Sequence, residues 1–215
     1  MSDRLDSRAL RFNDCYGQRF MKPGTYRYHV LAAGGQFVDV ERPFVIQVGE
    51  RRSENVMNQQ TVRLRYEKHR FTPVKPELTI ESGDLVIWNC PDQNAPAYAV
   101  QGEKEFFSSA RMMNESGFSH AFSSPGVYEW SDAYGSGIRG VVHVTDPKVK
   151  DHAGLAAWRE RLSKAALVMI DKGEVKPASV EVVTGQTVYF AITVSGGVSV
   201  TAQQTIASRD SAQAS

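Results

Sequence analysis

The chain has 215 residues, 41% of them hydrophobic and 23% charged, with a formal net charge of +1. That composition can fill a core and carries no block of charge. It excludes a disordered chain and removes the electrostatic case for nucleic acid or an acidic membrane surface. Length fits one large domain or two small ones of about 100 residues each, and no apolar run reaches the roughly 20 residues of a membrane span.

The start, Met1-Ser2-Asp3-Arg4-Leu5-Asp6, has no apolar h-region. The expectation is a cytoplasmic chain, or a periplasmic one if a leader was removed. Strand signals then dominate. Residues 60–66 alternate apolar and polar with period two, as a half-buried strand does. Leu78–Ile80, Leu85–Trp88, Ser119–Phe122, Val127–Ser131 and Gly140–Val144 follow, separated by Gly and Pro turns such as Ser82-Gly83-Asp84 and Ser124-Pro125-Gly126. Short strands with such turns predict an all-β sandwich or barrel. One segment differs. Leu155, Trp158, Leu162, Ala165 and Ala166 recur at helical spacing, so 151–169 is predicted as a linking helix with Asp151 as N-cap. The small, polar residues 203–215 are predicted to form a disordered tail. Cys15 and Cys90 form no CxxC pair and read as two reduced thiols.

The pieces Phe71-Thr72-Pro73, Leu78 to Asn89, Gly117 to Phe122, Ser124 to Trp130 and Ile138 to Val144 come in one order. Together residues 68–147 resemble the plastocyanin–azurin–amicyanin family of cupredoxins. The resemblance implies a Greek-key β-sandwich. A blue-copper site needs a thiolate, two imidazoles and usually an axial thioether. The positions that the family gives to these ligands hold Asp132, Gly135, Ile138 and, in Ala95-Pro96-Ala97-Tyr98, either Ala97 or Tyr98. The resemblance therefore implies a cupredoxin-like domain at 55–147 with its copper ligands lost.

The ends of the chain resemble the middle. Pro23-Gly24-Thr25-Tyr26-Arg27-Tyr28 and Phe44–Val48 look like a second half, and Val175 to Phe190 parallels Val74 to Trp88 like a first half. Neither half closes a core alone. The expectation is a discontinuous, circularly permuted domain, 8–48 plus 165–202, with the middle domain inserted. Val30 and Ala33 stand at its would-be ligand positions.

His120 lies in period two with Phe118 and Phe122 and reads first as a satisfied core histidine. A relocated copper site would draw on Cys90, His120 and Met112. Pro96, Tyr98, Tyr134 and Ile138 mark a candidate interaction face at the former metal end. No catalytic motif accompanies them: there is no G-x-S-x-G, phosphate loop or HExxH. The sequence thus points to a non-enzymatic, metal-free structural or protein-interaction module with no cofactor. A protein partner or self-association is expected. The alternative is a redox protein with a non-standard copper site.

Overall fold

A computed structural model describes residues 3–33, 43–51 and 57–206. Period-two sequence becomes strand throughout. The strands are β1 Asp14–Arg19, β2 Gly24–Ala32, β3 Phe44–Gly49, β4 Gln59–Glu67, β5 Arg70–Pro73, β6 Glu77–Glu81, β7 Leu85–Asn89 and β8 Tyr98–Gly102. Then come β9 Ser116–Ala121, β10 Gly126–Ser131, β11 Arg139–Thr145, the helix α1 His152–Leu162, β12 Ala166–Asp171, β13 Glu174–Lys176, β14 Ser179–Val183, β15 Thr187–Ile192 and β16 Thr201–Ala202.

They form one eight-stranded sheet, β13-β12-β15-β9-β1-β7-β4-β5, and two four-stranded sheets, β14-β11-β10-β16 and β6-β3-β2-β8. Each small sheet covers half of the large one. Tyr28 of β2 meets Trp88 of β7 edge-on at 5.5 Å, and Phe107 stacks on Trp88 at 5.6 Å. In the other half Trp130 of β10 meets Phe190 of β15 edge-on at 5.2 Å. These aromatic side chains are all buried.

The two halves repeat one another. Tyr16 and Phe118, Tyr26 and Tyr128, Tyr28 and Trp130, Gly83 and Gly185, and Trp88 and Phe190 are each separated by the same number of positions. The members of each pair hold matching places in the sheets. The antiparallel pairing of β1 with β9, with Gly17 opposite Gly117, joins the two units into one sheet.

Strand partners correct the expected domain organisation. Residues 8–48 do not close on 165–202 around an inserted 55–147. Instead β3 runs parallel to β6 and β2 pairs with β8, while β11 runs parallel to β14. Each second-half motif joins the first-half motif that follows it. Neighbouring segments pair because the connection is short, which needs less loop ordering and no threading of one domain through another. Residues 5–7 do reach the far end of the described chain: Ser7 donates to the Val200 carbonyl (3.0 Å), and Ala202 donates to that of Leu5 (2.7 Å).

The helix is also shorter than expected. Asp151 does cap it, accepting from the Gly154 amide at 2.8 Å. Leu155, Trp158 and Leu162 are only half-buried, and the Trp158 indole donates to the Thr184 carbonyl. From Ala166 the burial pattern switches to period two, with Val168 and Ile170 inside and Leu167 and Met169 outside. That face and the parallel partner β15 outweigh helix propensity. Residues 203–206 of the expected tail are helical with Thr205 buried; its remainder lies outside the described residues.

Truncating Trp88 to Ala should cost about 3–5 kcal/mol, the usual range for emptying a buried aromatic site. Because one sheet spans both units, urea unfolding followed by fluorescence and by circular dichroism should stay one coincident transition.

Candidate functional site

The positions singled out in the sequence fall at two separate ends of the molecule. Ala97 and Tyr98 belong to the first unit. Tyr98 pairs with Ala32, and Ala33 donates to the Ala97 carbonyl at 2.8 Å. Asp132, Gly135 and Ile138 belong to the second unit, beside Val198 to Val200. The sequence grouped these residues as one ligand set; strand pairing separates them. The proposed contact face divides in the same way. Tyr98 and Ile138 are buried, whereas Tyr134 is 47% exposed and Pro96 is exposed on the other unit.

At the second unit's end the chain leaves β10 and returns to β11 through a tight loop. Asp132 N–H donates to the Ile138 carbonyl at 2.9 Å, and Gly135 and Gly137 take φ of +83° and +81°, where a Cβ would be strained. The Asp132 carboxylate is fully engaged. It accepts from the Ser199 amide at 2.8 Å, the Ser199 hydroxyl at 3.2 Å and the Ser136 amide at 3.1 Å. Burial alone would push its carboxyl up; the Ser199 and Ser136 donors outweigh burial and hold it below the usual carboxylate range. The network continues inward. Thr201 Oγ1 lies 3.1 Å from Ser199 Oγ and 3.3 Å from Asp6 Oδ1, and Asp6 is paired with Arg8 at 2.9 Å.

In front of this network lies a groove of about 450 Å³ between the Ser136–Ile138 loop, the Asp171–Gly173 turn and the Thr193–Val198 loop. Ile138, Val194 and Val198 give it an apolar floor. Close by, Tyr134 donates its hydroxyl to the Ala110 carbonyl at 2.9 Å and carries the Arg111 guanidinium 5.5 Å from its ring centre. Tyrosine and arginine over an apolar floor form the residue set that anchors protein contacts.

The residues suggested for a relocated metal site do not meet. Met112 is bridged to Val198 beyond the Ser116 end of β9, whereas His120 lies at the other end of that strand, opposite Val188. His120 is instead the centre of a buried ionic cluster. Its Nδ1 lies 2.6 Å from Asp14 Oδ1, and its Nε2 lies 3.8 Å from Asp3 Oδ1. Asp14 also accepts from the Arg11 amide (2.7 Å), and Asp3 from the Ser123 and Ser124 amides and the Tyr128 hydroxyl. Burial would lower His120, but hydrogen bonding and charge from Asp14 and Asp3 hold it up at about 9. Burial acts on Asp14 in the opposite sense and raises it. We assign the charged pair, because a second carboxylate faces the far side of the ring. Among the described residues no three His, Cys, Asp or Glu side chains gather to hold a metal.

The sequence therefore singled out His120 correctly as a candidate core histidine but missed Asp3, Asp14, Asp6 and Ser199. One signal was present for Asp14: it shares the period-two face of Tyr16, so it must be buried and partnered. Its partner in β9 depends on strand pairing. No protein-family model matches the chain, and no curated protein or solved structure matches it.

Two outcomes follow. Asp132→Ala should destabilise the fold by about 1–3 kcal/mol, because the buried amide of Ser199 loses its acceptor and the Ser136 amide of the loop loses its anchor, measured by urea unfolding. Asp14→Ala should cost more, about 3–5 kcal/mol, since it strands a buried charge. His120 is raised above its ordinary value, so its contribution is full below pH 6.5 and is lost as pH rises through about 9. Wild-type stability measured from pH 7 to 10 should fall in that window, and the fall should vanish in His120→Gln.

Proposed function

We propose that this chain is a non-enzymatic, metal-free module of two cupredoxin-like Greek-key sandwiches that acts by protein contact, as a subunit of a larger assembly. In this reading each unit is a cupredoxin read from its middle: second-half strands first, first-half strands after. The parallel pairs β3–β6 and β11–β14, repeated in both units, support it.

The observation that carries the functional part is the state of Asp132. It stands where the family resemblance would put the metal thiolate. Its oxygens accept three hydrogen bonds from Ser199 and Ser136. A carboxylate saturated from inside the protein is a structural brace and offers a soft metal nothing. In the first unit the corresponding neighbours are Val30, Ala33, Ala97 and Tyr98, none of them a thiolate or an imidazole. The apolar groove beside Tyr134 and Arg111 then serves as the contact site that remains at the second unit's end.

The test combines elemental analysis with partner capture. Protein purified without chelator should carry no stoichiometric copper, and Cys90→Ser should change neither metal content nor absorption. A cross-linked partner recovered from the native host should be lost in Tyr134→Ala while the fold is kept. Stoichiometric copper that disappears in Cys90→Ser would favour the redox reading.

A further inference from the structure

The outward face of the eight-stranded sheet is a second surface, distinct from the groove, and no described helix or strand is seated on it. Inward positions of its strands carry Tyr16, Trp88, Phe118 and Phe190, all buried. The outward positions would ordinarily be charged. On the five central strands, β12, β15, β9, β1 and β7, only Asp171 and Arg19 are. Arg19 is itself engaged, 3.7 Å from Glu115 and 2.6 Å from the Gly83 carbonyl. The rest of the face is apolar or small. Leu167 and Met169 are 50% and 42% exposed, Tyr189 is half-buried beside them, and Leu85 and Ile87 are half-buried on β7 at the other side of the face. At its centre Gly17 and Gly117 keep it flat: a Cβ at Gly117 would run into the Tyr189 ring.

We propose that two copies of this chain associate through this face. Its area fits. Strands about 4.8 Å apart and residues rising about 3.3 Å make the whole sheet about 35 by 20 Å, or about 700 Å² per copy, with the five central strands as an apolar middle of about 450 Å² and the charged edge strands as its rim. Each partner of a standard stable interface buries about 800 Å². Its chemistry fits as well. A flat surface with few charges gives a charged partner nothing to pair with, and it is complementary to another such surface. A second copy supplies one, as an isologous interface requires. Charge also selects the orientation. The β4–β5 end carries Arg63, Arg65 and Arg70 against the single acid Glu67, whereas the β12–β13 hairpin balances Asp171 and Glu174 against Lys172 and Lys176. A two-fold axis parallel to the strands lays the basic end of one copy over the balanced hairpin of the other. An in-plane axis across the strands would stack arginine on arginine. Cys15 faces outward on β1, next to that axis.

Sedimentation velocity from micromolar to near-millimolar loading reads the outcome. Wild-type protein should sediment at twice the 23.8 kDa chain mass. The double variant Ile87→Lys, Leu167→Arg should be monomeric with an unchanged circular dichroism spectrum, and Tyr134→Ala should remain dimeric. A short bis-maleimide should join wild-type chains and fail to join Cys15→Ser. A monomeric wild type at every loading overturns the proposal. So does a dimer that survives the folded double variant, or one that Cys15 cannot cross-link. None of these results touches the groove reading, which concerns another surface.

Discussion

The pairing of β1 with β9 is the constraint on which the molecule depends. It is one antiparallel contact between two repeated units, and it turns two four-stranded layers into a single eight-stranded sheet. At one end of the pairing the opposed residues are Asp14 and His120; at the other they are Gln18 and Ser116. The pseudo-symmetric repeat is thus broken by charge. An unpartnered carboxylate or imidazolium inside this layer would be strongly destabilising, so the two strands are fixed to each other in register. Asp3 adds a second carboxylate and ties the N-terminal segment to the same point.

That segment does more than end the chain. Leu5 and Leu10 are fully buried, Ser7 bonds to Val200, and Leu10 exchanges both backbone hydrogen bonds with Tyr98. It runs from the second unit to the first and covers the short strand β16, whose edge would otherwise be open. Covering an edge in this way is a common defence against unwanted strand pairing. The same segment supplies Asp6 to the network behind the groove. The latch at His120 and the brace at Asp132 are therefore linked through the N-terminal segment, which turns at Asp6–Ala9 and again at Arg11–Asp14.

The ends of the two units have diverged under this shared plan. In the second unit buried polar groups pass hydrogen bonds from Asp132 through Ser199 and Thr201 to Asp6. In the first unit Ala33, Ala97 and Tyr98 occupy the equivalent place with backbone bonds and apolar packing. In the second unit this polar end stands behind a groove that has an exposed aromatic and a cation close by.

Much of this was legible in the residues. Alternation at 60–66 placed β4, the apolar run 85–88 after the Ser82-Gly83-Asp84 turn placed β7, and the Pro-Gly turns before Tyr26 and Tyr128 placed β2 and β10, because side-chain period and turn chemistry act locally. Asp151 announced the start of α1. The likeness of the chain's ends to its middle disclosed two copies of one plan. Tertiary structure alone decided which half joins which, since complementary halves have the same sequence pattern whichever partner they choose. It also decided that Ala166–Asp171 is a strand beside β15, that Tyr98 and Asp132 lie at different ends, and that His120 meets Asp14. Burial and pairing with distant strands set these outcomes, and no local window of sequence contains them.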